Sequence, residues 1–350
     1  MPPCAIGPRA APWISRRDLH ATPIEAPETA PIHLILARPL QRLTVTDALA
    51  TLLDFIRYAA SRFDEAGLTF GHSHDNALDE ATNLVLASLH LPPDLPPAYA
   101  QAHLTCAERL RVLTLIERRI AERIPVAYLV GAAWFAGLKF KSDARALVPR
   151  SPIAELIENG FAPWLDDRDM QRALDLCTGS GCIGIAMAAH NPDWQVDLAD
   201  ISEDALALAR ENIAFQHVEE RVRALQSDLF SALMGERYDV IVSNPPYVTE
   251  AEYVAMPGEY AHEPKLGLTA GVDGLDLALR ILRDAPQHLR DDGLLIVEVG
   301  ESARALTELL PELPLLWLDF KVGPMGVFLI ERAALLEHAA AIHSVAATRA

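Results

Sequence analysis

Positive charge is what this chain has least of. Its 350 residues carry 30 Lys and Arg against 48 Asp and Glu, a formal net charge of −18. Affinity for nucleic acid rests mostly on Lys and Arg neutralising phosphates, so such a chain is a poor non-specific DNA binder. A basic protein is a partner its field would steer in. Cysteine is also scarce. Cys4, Cys106, Cys177 and Cys182 make no CxxC pair, and no His cluster has zinc-ligand spacing. Free thiols in a reducing cytoplasm and no metal are therefore expected. No uninterrupted run of 18 apolar residues occurs, so no membrane span is expected. No internal repeat is visible. What remains is ordinary globular composition, 51% hydrophobic and 22% charged, in a chain long enough for two domains.

Helix-period patterning and breakers divide the chain. Residues 1–42 are rich in proline (Pro2, Pro3, Pro8, Pro12, Pro23, Pro27, Pro31), with Arg9, Arg16 and Arg17 early. Those prolines exclude an amphipathic import helix, leaving a disordered extension or a stretch ahead of the true start. Residues 43–125 read as a small all-helical domain. Thr44 or Thr46 caps a helix burying Ala48, Leu52, Phe55, Ile56 and Ala59 and ended by Gly67. A second helix runs from Asn76 to Leu89. A third opens on Thr105-Cys106-Ala107-Glu108, a capping-box pattern, and turns Leu110, Leu113, Ile116 and Ile120 inward. Its other face holds Arg109, Arg111, Arg118, Arg119 and Arg123. Such a stripe is usually a solvated face; here it also offers a contact for ribosomal RNA or an acidic partner. Pro125 stops helix formation. Residues 126–148, with Tyr128, Trp134, Phe135 and Phe140 between Gly131 and Gly137, read as a hairpin linker. Ser151 caps a helix through Ala154, Ile157 and Phe161. Strands and helices then alternate to residue 335, an α/β sheet with helices on both faces, and 336–350 read as a tail.

The chemistry gathers at the strand ends. Asp175-Leu176-Cys177-Thr178-Gly179-Ser180-Gly181 follows the first strand of this part. Its glycines let a ligand lie against the backbone. No Gly-Lys-Ser/Thr follows to make a P-loop, and the GxGxxG spacing of Gly179, Gly181 and Gly184 is ambiguous by itself. The acids sharpen it. Asp200 ends the second strand, where a carboxylate accepts ribose hydroxyls. Asp228 ends the third and can accept an adenine amino group. Asp175 faces an ammonium and would repel a pyrophosphate. Singly, each Asp can equally be the cap of the next helix. Together they favour S-adenosyl-L-methionine, which is cationic and lacks phosphate, over a dinucleotide.

After the fourth strand comes Asn244-Pro245-Pro246-Tyr247. Two prolines have no amide hydrogen and a fixed φ, so they end the strand stiffly. The Asn244 side chain and Pro245 carbonyl can then converge on a planar –NH2 group, with Tyr247 stacked beside it. By itself the tetrapeptide reads more readily as a proline-rich turn, and adenine and glutamine both offer such a group.

The glycine loop, Asn244–Tyr247 and His262-Glu263-Pro264…Asp273-Gly274-Leu275-Asp276 together resemble the class I methyltransferases that modify glutamine side-chain amides. The resemblance covers residues 45 to 332. It implies a seven-stranded, Rossmann-like S-adenosylmethionine-dependent domain (149–335) joined by a hairpin linker (126–148) to a helical substrate-recognition domain (43–125). One branch methylates the Gly-Gly-Gln glutamine of peptide-chain release factors, the other a glutamine of large-subunit ribosomal protein uL3. Ile124–Leu129, Ala133-Trp134-Phe135, Leu147–Ile153 and the Cys177-Thr178-Gly179-Ser180-Gly181-Cys182 loop are similar to the uL3 branch. The release-factor branch has an Arg-Pro-Asp/Glu-Thr-Glu pattern where Arg150-Ser151-Pro152-Ile153-Ala154-Glu155 stands here, and often a Trp where Leu229 stands.

On this reading Asn244, Pro245 and Tyr247 are catalytic, and Pro246 joins them in holding the substrate. Asp175, Cys177–Gly181, Asp200, Asp228 and Asn244 hold the cofactor. Asn244 and Pro245 accept the amide hydrogens and set its nitrogen about 3 Å from the methyl group, a near-attack arrangement that needs no strong base. Two rivals remain. A DNA adenine-N6 methyltransferase shares the tetrapeptide chemistry, but the acidic charge and missing target-recognition domain oppose it. A catalytically silent module docking on ribosomal particles is opposed by the intact acid and glycine set.

Overall fold

Leu52, Phe55, Ala59 and Phe63 recur at helical spacing and are all buried on one face of α1 (Leu52–Glu65). The computed structural model describes residues 48–72, 74–165, 170–321 and 326–348. The reading of 1–42 as an extension, and of Thr44 or Thr46 as a cap, lies outside the described residues. α1 is capped by Thr51. Its hydroxyl accepts the Asp54 amide at 3.2 Å while the Asp54 carboxylate accepts the Thr51 amide at 2.9 Å. α2 (Ala77–Ser88) starts at Asn76, and α3 (Cys106–Glu122) at the expected Thr105–Glu108 capping box.

The arginine stripe on α3 needs correction. Arg119 has no exposed surface; its Nε lies 2.7 Å from Glu80 Oε1, and Nη2 donates to the Thr69 carbonyl. Arg123 bonds Glu259 and the Ala66 and Gly67 carbonyls, and Arg111 bonds the Ser88 carbonyl. The buried face is Val112, Leu113, Ile116 and Arg119, whereas Leu110 is exposed. A charge that meets its counter-ion indoors looks, in sequence, like a solvent-facing one.

Pro125 also behaves differently from expectation. It precedes a one-turn helix, α4 (Val126–Val130), because its fixed φ suits a helix start as well as a stop. The hairpin follows as β1 (Ala132–Phe135) and β2 (Leu138–Lys141), turning through Ala136 and Gly137, both at positive φ. α5 (Ile153–Glu158) is shorter than read and ends before Phe161, which is buried beyond it.

The rest is β3 (Arg172–Leu176), α6 (Cys182–His190), β4 (Gln195–Asp200), α7 (Glu203–Gln216), β5 (Val222–Gln226), β6 (Tyr238–Ser243), α8 (Glu250–Ala255), α9 (Asp276–Asp284), β7 (Leu289–Glu298), α10 (Ala303–Leu309), β8 (Leu316–Leu318), β9 (Val327–Glu331), α11 (Arg332–Glu337) and α12 (Ala339–Ala347). The seven-stranded sheet has the order β5-β4-β3-β6-β7-β9-β8, parallel except for β9, which runs antiparallel to both its neighbours. β6 is buried along its whole length, as an inner parallel strand must be. One apolar layer, from α5, α6 and α7, covers one face, and a second, from α9 to α12, covers the other. The stretch read as a tail supplies α12, whose Ile342 is 1% exposed. From β3 the chain winds outward through β4 and β5, then returns to β6 on the other side. That reversal opens a crevice beyond the carboxyl ends of β3 and β6. Among the described residues no helix is long and apolar enough to cross a membrane.

Candidate active site

The loop after β3 turns sharply because Cys177, Gly179 and Gly181 all take positive φ. It wraps over a cavity of about 410 Å³ at the crevice. Cys177, Thr178, Gly179, Ser180, Asp200, Asp228, Asn244, Pro245, Pro246 and Tyr247 all line that cavity. The fold therefore brings together residues from four strand ends, far apart in the chain.

Asp175 and Gly181 do not line it. Asp175 points under the loop: its Oδ2 accepts the Thr178 hydroxyl at 2.5 Å and the Gly184 amide at 2.9 Å. It does not line the cavity, contrary to expectation, because the Thr178 hydroxyl and the Gly184 amide of its own loop hold it beneath the turn. Burial pushes its carboxyl up to about 7, and its buried Oδ1 has no hydrogen-bond partner among the described residues. Gly184 is the third glycine of the spacing. A Cβ there would overlap Leu198 and come within 3.0 Å of Asp175 Cβ, so α6 can approach β4 only without one.

Asp200 behaves as an aimed acceptor. Its oxygens take the Gly179 and Ser202 amides, each at 2.9 Å, and burial raises its carboxyl above the usual range. Each oxygen keeps a second lone pair. Asp228 is half-exposed and bound at 2.8 Å by Arg280. The other cations lining the cavity are likewise neutralised, Arg145 by Asp143 and Glu211, Arg150 by Glu263 at 2.7 and 3.0 Å. With every arginine engaged, Asp200 biases the cavity toward a cationic guest. The donor set fits a sulfonium nucleoside and offers no free cation to a pyrophosphate.

At the acceptor side, no described group hydrogen-bonds the Asn244 side-chain amide or the Pro245 carbonyl. Tyr247 donates its hydroxyl to Glu298 Oε1 at 3.0 Å. Burial and the Glu298 carboxylate both raise the phenol, so it stays protonated. The sequence reading missed the contribution of the end of the linker and the residues just after it: Leu147, Val148, Pro149, Arg150 and Ser151 line the cavity, as does Tyr260. The run Leu147-Val148-Pro149-Arg150-Ser151-Pro152 has no periodicity to signal it.

A seven-stranded sheet of this order, with a glycine loop and strand-end acids around a crevice pocket, makes the protein a class I methyltransferase, and its domain implies a cofactor of the S-adenosylmethionine type. The family model described as Methyltransferase small domain matches residues 159–257. The ribosomal protein uL3 glutamine methyltransferase of Xanthomonas campestris is 65% identical over 303 residues, covering 87% of this chain and 98% of that protein. The protein of the same name from Xylella fastidiosa strain 9a5c is 64% identical over 303 residues (87% and 97%), and that from Bordetella pertussis 48% over 288 (82% and 97%). The chain belongs to the family of ribosomal protein uL3 glutamine methyltransferases.

Proposed function

We propose that this protein transfers a methyl group from S-adenosylmethionine to the side-chain nitrogen of a glutamine in ribosomal protein uL3. The observation that carries the reading is that Asn244, Pro245 and Tyr247 line one cavity, where the Asn244 side chain and the Pro245 carbonyl have no hydrogen-bond partner among the described residues. When bound, the cofactor supplies an electrophilic methyl group. Asp200 would hold the ribose hydroxyls, the Cys177–Ser180 backbone the amino-acid part, and Asp228 the adenine edge.

Asn244 and Pro245 accept the two amide hydrogens, which fixes the plane of a weakly nucleophilic nitrogen and feeds it electron density as positive charge develops. The proton leaves afterwards, so no strong base is needed. The substrate reaches this point through a groove of about 1000 Å³ between α2, the hairpin and α5. Pro149, Arg150, Ser151, Tyr247 and Tyr260 line both spaces. Asp75, Asp79, Glu155 and Glu158 give the groove an acidic rim suited to a basic protein. In this reading the helices of 48–123 form one wall of substrate recognition. The uL3 named in the relatives favours that substrate over release factors, and the burial of Arg119 takes one of five arginines out of the stripe offered for an RNA contact along α3.

The test is incubation with labelled S-adenosylmethionine and either purified uL3 or a release factor. Label in uL3, located on a glutamine by mass spectrometry, is the expected outcome. Label in the release factor alone overturns the choice of substrate.

A further inference from the structure

Glu298 ends β7 with only 2% of its surface exposed, yet no described cation pairs with it. The nearest candidate, Arg150, is held by Glu263. Its partners are instead two hydroxyls: Ser151 Oγ donates to Oε2 at 2.5 Å and Tyr247 to Oε1 at 3.0 Å. An apolar side chain would fill that space without the cost of burying a carboxylate. The bonds join three parts of the chain, the segment leading into α5, the end of β7 and the tetrapeptide turn.

Tyr247 forms part of the partition between the cofactor cavity and the groove, together with Pro149, Arg150, Ser151 and Tyr260, which line both. Its ring is confined on another side by Gly300, where a Cβ would lie 2.6 Å from Cε2. Glu298 lines the groove but not the cofactor cavity. It can therefore act on the acceptor without touching the methyl donor.

We propose that Glu298 is a positioning residue for methyl transfer. Through the Tyr247 hydroxyl it locks the ring so that the acceptor amide enters beside Asn244 in one orientation. This rests on the glutamine reading above. A ring free to tilt would let the amide plane wander, and a small loss of alignment is costly in a reaction that depends on it.

The test is a double-mutant cycle of Glu298→Gln and Tyr247→Phe on uL3, with cofactor affinity by calorimetry and melting temperature measured alongside. Gln keeps the shape but offers one acceptor oxygen to two hydroxyls. Each single variant is expected to lower kcat about tenfold with cofactor Kd within about threefold, and the double variant to match Tyr247→Phe within about twofold. Losses that multiply, or a Glu298→Gln kcat within about twofold of wild type, overturn the role. If Glu298→Gln does not fold, Ser151→Ala replaces it. A kcat loss present in wild type and absent in the Tyr247→Phe background supports the relay; equal losses in both overturn it. Wild-type protein that leaves uL3 unlabelled sinks the glutamine reading instead, so the two failures are distinct.

Discussion

The Asp175 carboxylate reaches across the β3–α6 turn to accept the Gly184 amide at 2.9 Å, and through that bond the glycine loop is tied to the strand beneath it. Its second oxygen is buried with no hydrogen-bond partner among the described residues, and burial pushes the group up to about 7, well above the usual aspartate value. The stability it confers is fully present below the unfolded value near 4 and is lost as pH rises through about 7. Asp175→Asn, which cannot ionise, should therefore flatten the loss between pH 5 and 8 by on the order of 2 kcal/mol. Thermal melts of both proteins across that range check it; parallel curves would show the carboxyl does not titrate there.

His72 should have the opposite pH dependence. The ring is 2% exposed and packs at a 33° tilt on Tyr260 with centroids 4.3 Å apart, its Nε2 3.7 Å from Glu263 and neither nitrogen hydrogen-bonded among the described residues. Burial outweighs Glu263 and lowers it to about 4. Stability is then lost as pH falls from the unfolded value near 6.5 toward about 4. His72→Phe keeps the stacked ring and should be tolerated at pH 7 while reducing the acid-side loss, read by denaturant midpoints at pH 7 and pH 5.

Arg119→Met should destabilise by about 3–5 kcal/mol, because it strands Glu80 as an unpaired buried charge. Arg118→Ala, which breaks an exposed i,i+4 pair with Glu122, should cost no more than about 0.5 kcal/mol. Urea unfolding separates the two. Similar small effects at both positions would restore the solvated-stripe reading.

Asn244→Ala should lower turnover on uL3 by more than about tenfold while cofactor affinity stays within a few-fold, since its amide acts on the acceptor in the transition state. Steady-state kinetics paired with calorimetry provide the check. Unchanged turnover would remove Asn244 from the reaction.

Much of this molecule is written locally. The helix at 182–190 and the strands at 222–226 and 238–243 belong to the alternation of strands and helices that the sequence predicts up to residue 335, because each carries enough apolar residues to bury one face or both. Asn244–Tyr247 was legible too, since prolines at a strand end act through the backbone alone. Local pattern failed where one side chain had two plausible environments. Arg119 looked like surface until Glu80 and Glu259 met it, Pro125 looked like a stop and begins a turn of helix, and Leu110 fell on the exposed face.

By itself, then, the sequence determined the order of strands and helices, the glycine loop, the strand-end acids and the planar-amine tetrapeptide. These depend on periodicity and on backbone chemistry within a few residues. Tertiary structure decided which acids face the cavity. Asp200 does, while Asp175, one residue short of the end of β3, is drawn beneath the loop by the Thr178 hydroxyl and the Gly184 amide. It also decided that the segment leading into α5 and Glu298 complete the wall around Tyr247. Ser151, Tyr247 and Glu298 are separated by 96 and 51 positions in the chain. Only the closing of β6 against β7, with the segment leading into α5 laid across their ends, brings those three hydrogen-bonding groups within reach of one another.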